Sequence, residues 1–138
     1  MATRISTAAQ NAACNAVVDL VDGGSGAGYV EIRSGSQPAT ANTAATGSVL
    51  ATITYSDPAF GSASSGTATA DITPALTVAA SATGTAGWFR VYDSAAAGIY
   101  DGNITVTGGG GDMTVNTTSL VSGVDFTITA QSVTMPAS

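Results

Sequence analysis

The residues best suited to chemistry in this chain are three carboxylates, Asp93, Asp101 and Asp112. Glycoside hydrolysis needs only two such acids, roughly 5–10 Å apart across a cleft. Asp93 and Asp101 flank the loop between two β-rich runs, and Asp112 follows the four glycines 108–111 directly. The same oxygens suit Ca²⁺, although neither EF-hand nor repeat spacing surrounds them. Each aspartate also suits a turn, where its side chain hydrogen-bonds its own backbone, and that plainer use is the expected one. Other reaction types lack their residues. The chain has no His, which removes Ser-His-Asp and Cys-His nucleophile systems and any imidazole metal site. It also has no Lys, which removes Schiff-base chemistry and the phosphate-loop lysine. The expectation is a protein that is not an enzyme, with no catalytic residue, no cofactor and no metal.

Binding signals are equally thin. Glycine loops cradle phosphate beside a helix start with a basic residue near. Strand-like runs flank 108–111, and Asp112 would repel an anion, so a tight turn or close chain contact is expected. The glycines of GGSGAG (23–28) follow a helix and precede a strand, the reverse of the dinucleotide fingerprint. Trp88 or Tyr100 in an open groove would suit a glycan, but alternation with Phe89 and Val91 favours a core tryptophan. Cys14 is the single cysteine, so an intrachain disulfide is impossible. The run Asn11-Ala12-Ala13-Cys14 has the look of a lipoprotein cleavage site, but the polar residues before it lack the apolar stretch such a signal needs. A buried, inert helix cysteine is expected instead.

These residues must be held by a mostly β framework. Residues 86–107 contain the only Trp and two of the four Tyr, and read as an antiparallel hairpin broken at Asp93-Ser94. Residues 4–21 form the one helix, with Thr3 as cap and Gly23-Gly24 as a left-handed stop. Ile5, Ala9, Ala12, Ala16 and Leu20 recur at helical spacing, widened by Val17 and Val21. That stripe is expected to pack on the protein's own sheet, with a neighbouring subunit as the alternative. Residues 23–28 read as a flexible join and 28–35 as a strand. The segment 34–48 is a long loop, of the kind that is functional or partly disordered. Further strands are expected at 49–55, at 67–73 (weaker), around 75–80, around Met113 and Val115, and at 124–135. In the last, Val124, Phe126, Ile128 and Ala130 share a face, and the phase reverses for Val133 and Met135. A bulge near Gln131-Ser132 accounts for that reversal. About seven strands and a leading helix imply a single mainly β domain over 1–138, its β core at about 28–135, built as an antiparallel β-sandwich or barrel-like fold.

Composition narrows the partners. A chain of 138 residues buries about two-thirds of its unfolded surface. Much of its 44% hydrophobic content is alanine, with three Phe, one Trp and four Tyr. Alanine buries little area at about 25 cal/mol per Å², which makes oligomerisation or docking on a larger partner an attractive source of stability. Arg4, Arg33 and Arg90 are the only basic side chains against eight Asp and Glu31, a net charge of −6. Nucleic acid and anionic membrane surfaces are therefore disfavoured. No apolar run approaches the ~20 residues that span a bilayer.

In order and wording, several stretches resemble a group of small virion proteins of tailed bacteriophages. They are the MATRIST opening with its helix, the SGSQPAT segment, LATITYSDPAFGSASSGTATA, ATGTAGWFRVYDSAAAGIYDGNITVTGGGGD and MTVNTTSLVSGVDFTITAQSVTM. Together they cover nearly the whole chain. The resemblance implies a structural protein made in the host cytoplasm without a signal peptide. Its place would be the capsid exterior, as a head decoration (cement) protein. Its partners would be the major capsid protein and sister copies, in a homo-oligomer for which a trimer is one candidate. A neck or tail component, or a glycan- or receptor-binding β module, is the alternative. The expected contacts are the helix residues Ile5, Ala9, Ala12, Ala16 and Leu20, with Gln37 and Pro38 of the long loop.

Overall fold

The computed structural model describes residues 3–137, so Met1, Ala2 and Ser138 lie outside the description. One helix leads, α1 (Thr7–Asp19), tightening into a 3-10 turn at Leu20–Asp22. Ten strands follow: β1 (Tyr29–Arg33), β2 (Val49–Thr54), β3 (Thr67–Thr69), β4 (Leu76–Ala79) and β5 (Gly84–Thr85), then β6 (Trp88–Tyr92), β7 (Gly98–Val106), β8 (Met113–Val115), β9 (Ser119–Leu120) and β10 (Asp125–Thr134). The protein is mainly β, with one N-terminal helix and a curled sheet forming a half-barrel. Of the two architectures expected, it is the barrel-like one. The sheet runs β2-β1-β6-β7-β8-β10-β3, with β4 also on β10, and β5 and β9 form a separate pair.

Every pairing is antiparallel except β7 with β8, where Ile104, Thr105 and Val106 face Met113, Thr114 and Val115 in parallel. Parallel neighbours ordinarily need a crossover of about a dozen residues or more. Here residues 107–112 suffice, because the glycine loop doubles back flat against β7. A Cβ on Gly109 would lie 2.7 Å from Thr105 Cβ, and Gly111 N–H donates to Thr105 Oγ1 at 3.0 Å. Asp112 N–H then donates to Asn103 Oδ1 at 2.7 Å. The close chain contact expected of these glycines is what they provide.

The hairpin of β6 and β7 holds the centre of the sheet. Phe89 and Val91 point into the half-barrel and meet Val30 and Ile32 of β1, Met113 and Val115 of β8, and Phe126 and Ile128 of β10. Burial of each such large side chain stabilises the fold by about 1.5–3 kcal/mol. Tyr55 O–H donates to Gln131 Oε1 at 2.8 Å, and Gln131 Nε2 donates to Tyr100 Oη at 2.7 Å, which lets a buried glutamine sit in that core. Among the described residues every buried side-chain nitrogen and oxygen has a partner.

Several expectations need correction. The helix starts at Thr7, with Ser6 rather than Thr3 as its cap: Ala9 N–H donates to Ser6 Oγ at 3.2 Å. Gly23 ends it at φ −74°, ψ −9°, without a left-handed residue, because the 3-10 turn already satisfies the last carbonyls. The 23–28 join is packed rather than flexible. A Cβ on Gly24 would fall 1.9 Å from Ser94 Oγ, and Gly26 N–H donates to that hydroxyl at 3.2 Å. In β10 the bulge sits between Ile128 and Ala130, earlier than expected. Phe126 and Ile128, then Gln131 and Val133, face inward, while Val124 is 56% exposed and Ala130 is exposed.

Candidate functional site

Helix α1 presents two opposite stripes. At about 100° per residue, Cys14 and Val18 fall on one side, with Val21 of the 3-10 turn beyond them, and Ala9, Ala12 and Ala16 fall on the other, with Leu20 at the turn. Ile5 lies before the Ser6 cap, outside the helix, where its N–H donates to Ala137 O at 2.9 Å. The first set is buried. The second is exposed throughout, with Ile5 at 38% and Leu20 at 56%. The stripe expected to pack on the protein's own sheet therefore faces outward. The inward side is mixed: Cys14, Val18 and Val21 join the hydrophobic core, and polar side chains flank them. Gln10 Nε2 donates to Met135 O at 2.8 Å, and Cys14 Sγ donates to Val133 O at 3.2 Å. Asn11 Oδ1 and Asn15 Oδ1 each accept at 2.7 Å, from Gly66 N–H and Ala63 N–H. Asp22 continues the line, accepting from Ala59 N–H at 3.0 Å. Burial, with Asp57 and Asp19 nearby, lifts the Asp22 carboxyl above its ordinary range despite that bond. The helix thus supplies side-chain partners to the backbone at the β3 end of the sheet, which an uncovered edge would leave open.

Asn11 and Asn15 were missed by reading apolar periodicity alone. The signal was present in another form: two asparagines one turn apart are poor helix formers and call for a tertiary reason.

The loop 34–48 folds over the outer face of the sheet, and its backbone is tied down. Arg90 Nη1 donates to Thr43 O at 2.8 Å, Trp88 Nε1 to Ser34 O at 3.2 Å, and Arg33 Nη1 to Gly47 O at 3.4 Å. Thr46 Oγ1 reaches Ser36 O at 3.0 Å, and Ser48 N–H reaches Ser34 Oγ at 3.0 Å. Beneath the loop Trp88 is fully buried, with the guanidinium carbons of Arg90 and Arg33 5.4 and 6.0 Å from its ring centroid. Trp88 is buried as expected but lies on the face away from Phe89 and Val91. A tryptophan closed over in this way offers no platform to a sugar. Gln37 is exposed and Pro38 half-buried at the start of the loop.

Of the three candidate carboxylates, Asp101 and Asp112 line one cleft and Asp93 lies outside it. Asp93 Oδ1 accepts from Ala95 and Ala97 N–H, both at 2.9 Å, and shapes the β6–β7 turn. Asp101 forms a two-pronged pair with Arg90, at 2.5 and 2.8 Å, and its side chain is only 3% exposed. That pair holds the Arg90 guanidinium charged more firmly than usual. Asp112 is exposed and accepts from Asn103 N–H at 3.2 Å. Asp101 and Asp112 share a shallow cleft of about 180 Å³ with Tyr100 and residues 132–134. Ligand sites ordinarily enclose about 300–1,000 Å³. Both oxygens of Asp101 are also committed to Arg90. Tyr100 and Tyr55 are pushed up from the ordinary tyrosine range, chiefly by burial, and stay neutral. Among the described residues no group of three or more acidic or cysteine side chains could hold a metal ion. Nor is any helix among them long and apolar enough to cross a membrane.

A larger groove, about 420 Å³, lies between β2 and β4 and is lined by residues 52–56 and 74–78. Beside it Ser81 N–H and Ala82 N–H donate to Leu50 O at 2.8 and 3.3 Å, tying β2 to the chain that follows β4.

No protein-family model, curated protein or solved structure matches this chain.

Proposed function

We propose that this chain is a structural component of a tailed-phage particle, a head decoration (cement) protein that binds the outer capsid surface and stabilises it without catalysis. The observation that carries this reading is the outward stripe of α1. Ala9, Ala12 and Ala16 are aligned and exposed on a helix whose opposite side already satisfies the body of the protein, with exposed Ile5 just before its cap and exposed Leu20 just past its end. Sequence resemblance to small virion proteins and the scarcity of reactive side chains support it.

Magnitude argues for repetition. A helix of 13 residues is roughly 20 Å long at 1.5 Å per residue, so a strip about 10 Å wide covers roughly 200 Å². A stable pairwise interface needs about 800 Å² per partner. One such contact is weak, and copies arranged by symmetry around a shell, or a small cyclic oligomer, turn weak contacts into firm attachment. The partners in this reading are the major capsid protein and sister copies.

Quantitative mass spectrometry of purified particles tests the proposal. A copy number comparable with that of the major capsid protein is the expected result. A few copies per particle would instead place the chain in the neck or tail, and its absence from particles would overturn the virion reading.

A further inference from the structure

Strands β1 and β6 carry two tyrosines on the outer face of the sheet, one row along from Glu31 and Arg90. Tyr29 pairs with Tyr92, and their rings stack with centroids 5.0 Å apart and planes 14° from parallel. Both are half-buried. Beside Tyr92 in the register stands Gly98 of β7, exposed and without a side chain. A Cβ there would lie 3.9 Å from Tyr92 Cε1 and 3.5 Å from Arg90 Cδ, ordinary contact distances, so the place next to the Tyr92 ring is open. On the far side of the pair, exposed Thr54 of β2 stands opposite Tyr29. Such a stack presents the electron-rich face of an aromatic ring to whatever lies over Gly98.

The charge around the stack is negative. Arg33 is engaged by Glu31 and Arg90 by Asp101, which leaves Asp93, next to Tyr92, as the uncompensated charge of this face. The bonds already made fall on Oε2 of Glu31 and Oδ1 of Asp93, so Glu31 Oε1 and Asp93 Oδ2 remain as acceptors. Burial, then Glu31, Tyr92 and Asp93, push the Tyr29 hydroxyl above its ordinary range, so both carboxylates are felt at the stack. We infer that the Tyr92 face over Gly98 receives the side chain of an arginine carried by a different protein. A guanidinium is planar and weakly hydrated, so it lies flat on a ring more readily than an ammonium does, and its edge donors suit the two free carboxylate oxygens. The protein uses the same contact internally, where the guanidinium carbons of Arg90 and Arg33 lie 5.4 and 6.0 Å from the Trp88 ring centroid. A neutral sugar would stack on the ring but leave Asp93 uncompensated. Within the chain no arginine fits. Arg33 and Arg90 are committed, and Arg4 precedes α1 while Gly28, beside Tyr29, packs on Val21 past its other end, roughly 20 Å away at 1.5 Å per residue. Two copies, each at a net charge of −6, repel one another, which favours a basic partner. The inference goes beyond the virion reading and does not depend on it, since a peptide tests the stack without any particle.

The probe is the capped tripeptide Gly-Arg-Gly, titrated into the full chain and followed by NMR, with the citrulline peptide as its uncharged isostere. Weak but saturable binding is expected, with shifts at Tyr29, Tyr92 and Gly98 and ring-current displacement of the arginine Cδ protons. Citrulline is expected to bind several-fold more weakly, and added salt to weaken the arginine peptide, because the contact is exposed. Tyr92→Ala is expected to abolish binding, whereas Tyr92→Phe keeps it, since the ring and not the hydroxyl is used. Asp93→Asn keeps the Oδ1 acceptor of the β6–β7 turn but removes the charge, and is expected to weaken binding several-fold with the fold intact. No saturable binding, equal binding of the citrulline peptide, or undiminished binding to Tyr92→Ala would each overturn the inference. Tighter binding of maltose than of the arginine peptide at the same residues would overturn it in favour of a sugar. So would the same shifts on concentrating the chain without peptide and their loss in Arg4→Ala, because the occupant would then be a second copy.

Discussion

Two elements cover the sheet, and they do it in opposite ways. Helix α1 sends side chains into the body: Gln10, Asn11, Cys14 and Asn15 bond to backbone groups at residues 63–66 and 133–135. The loop 34–48 contributes mostly backbone, and the body sends side chains to it: Arg33, Arg90 and Trp88 bond to its carbonyls. The helix keeps its geometry by its own hydrogen bonds, so its far side is free to present a regular apolar stripe. The loop has no such ladder and depends on the arginines beneath it. A cover with its own internal order can serve a second partner, whereas a cover held from below mainly protects what lies under it.

Removal of the sheet from under both covers has the largest effect. Tyr55 and Tyr100 are raised above the ordinary value of 10.0, so the fold favours their neutral forms. The stability this represents is intact below pH 10, where the unfolded chain is also neutral, and is lost as pH climbs beyond it. Phenolate absorbance at 295 nm is expected to rise for these two together with loss of far-UV circular dichroism. Their ionisation in a chain that stays folded would contradict the buried Tyr55–Gln131–Tyr100 link.

Next comes the loop's support. Asp101→Ala leaves Arg90 charged and buried without its carboxylate, a change that costs about 3–5 kcal/mol. Urea unfolding measures that loss, and amide exchange at 40–48 is expected to accelerate as Thr43 loses its anchor. Adding Arg90→Met should restore much of the stability but not the protection of the loop. Protection unchanged in both variants would mean that the loop holds itself.

The helix cover responds more gently. Asn15→Ala or Asn11→Ala strands one backbone N–H, at Ala63 or Gly66, and costs about 1–3 kcal/mol each. The outward stripe gives the smallest effect on the isolated chain: Leu20→Ser is expected to shift stability by no more than about 0.5 kcal/mol. The same variant is expected to lower occupancy on particles. A large loss of stability from Leu20→Ser would mean that the stripe packs within the protein after all.

The sequence made the strands legible wherever one face is apolar and the other polar. The Val30 and Ile32 strand and the phase reversal in β10 were readable for that reason, whereas the 88–106 hairpin, whose first strand is buried on both faces, was readable from its aromatic and β-branched content. It did not reveal which side of α1 faces inward, because two apolar sets recur there at helical spacing: Cys14, Val18 and Val21 enter the core beside the amide side chains, while the alanine stripe faces outward. The parallel β7–β8 pair was hidden by a connection too short for the usual rule. The loop 34–48 looked featureless because its order comes from Arg33, Trp88 and Arg90, distant in sequence. The candidate carboxylates were legible as turn formers, and Asp93 is one. Asp101 was not legible as an arginine partner, since that pairing exists only once β6 and β7 are in register.

In the proposed virion role, α1 contacts another chain in an assembled particle. A near-atomic reconstruction of the phage head tests it most directly. The expected result is density for this chain on the outer shell at symmetry-related sites, with Ala12, Ala16 and Leu20 buried against a neighbouring subunit. Heads that carry the chain with this stripe in open solvent, or heads without it, would contradict the claim.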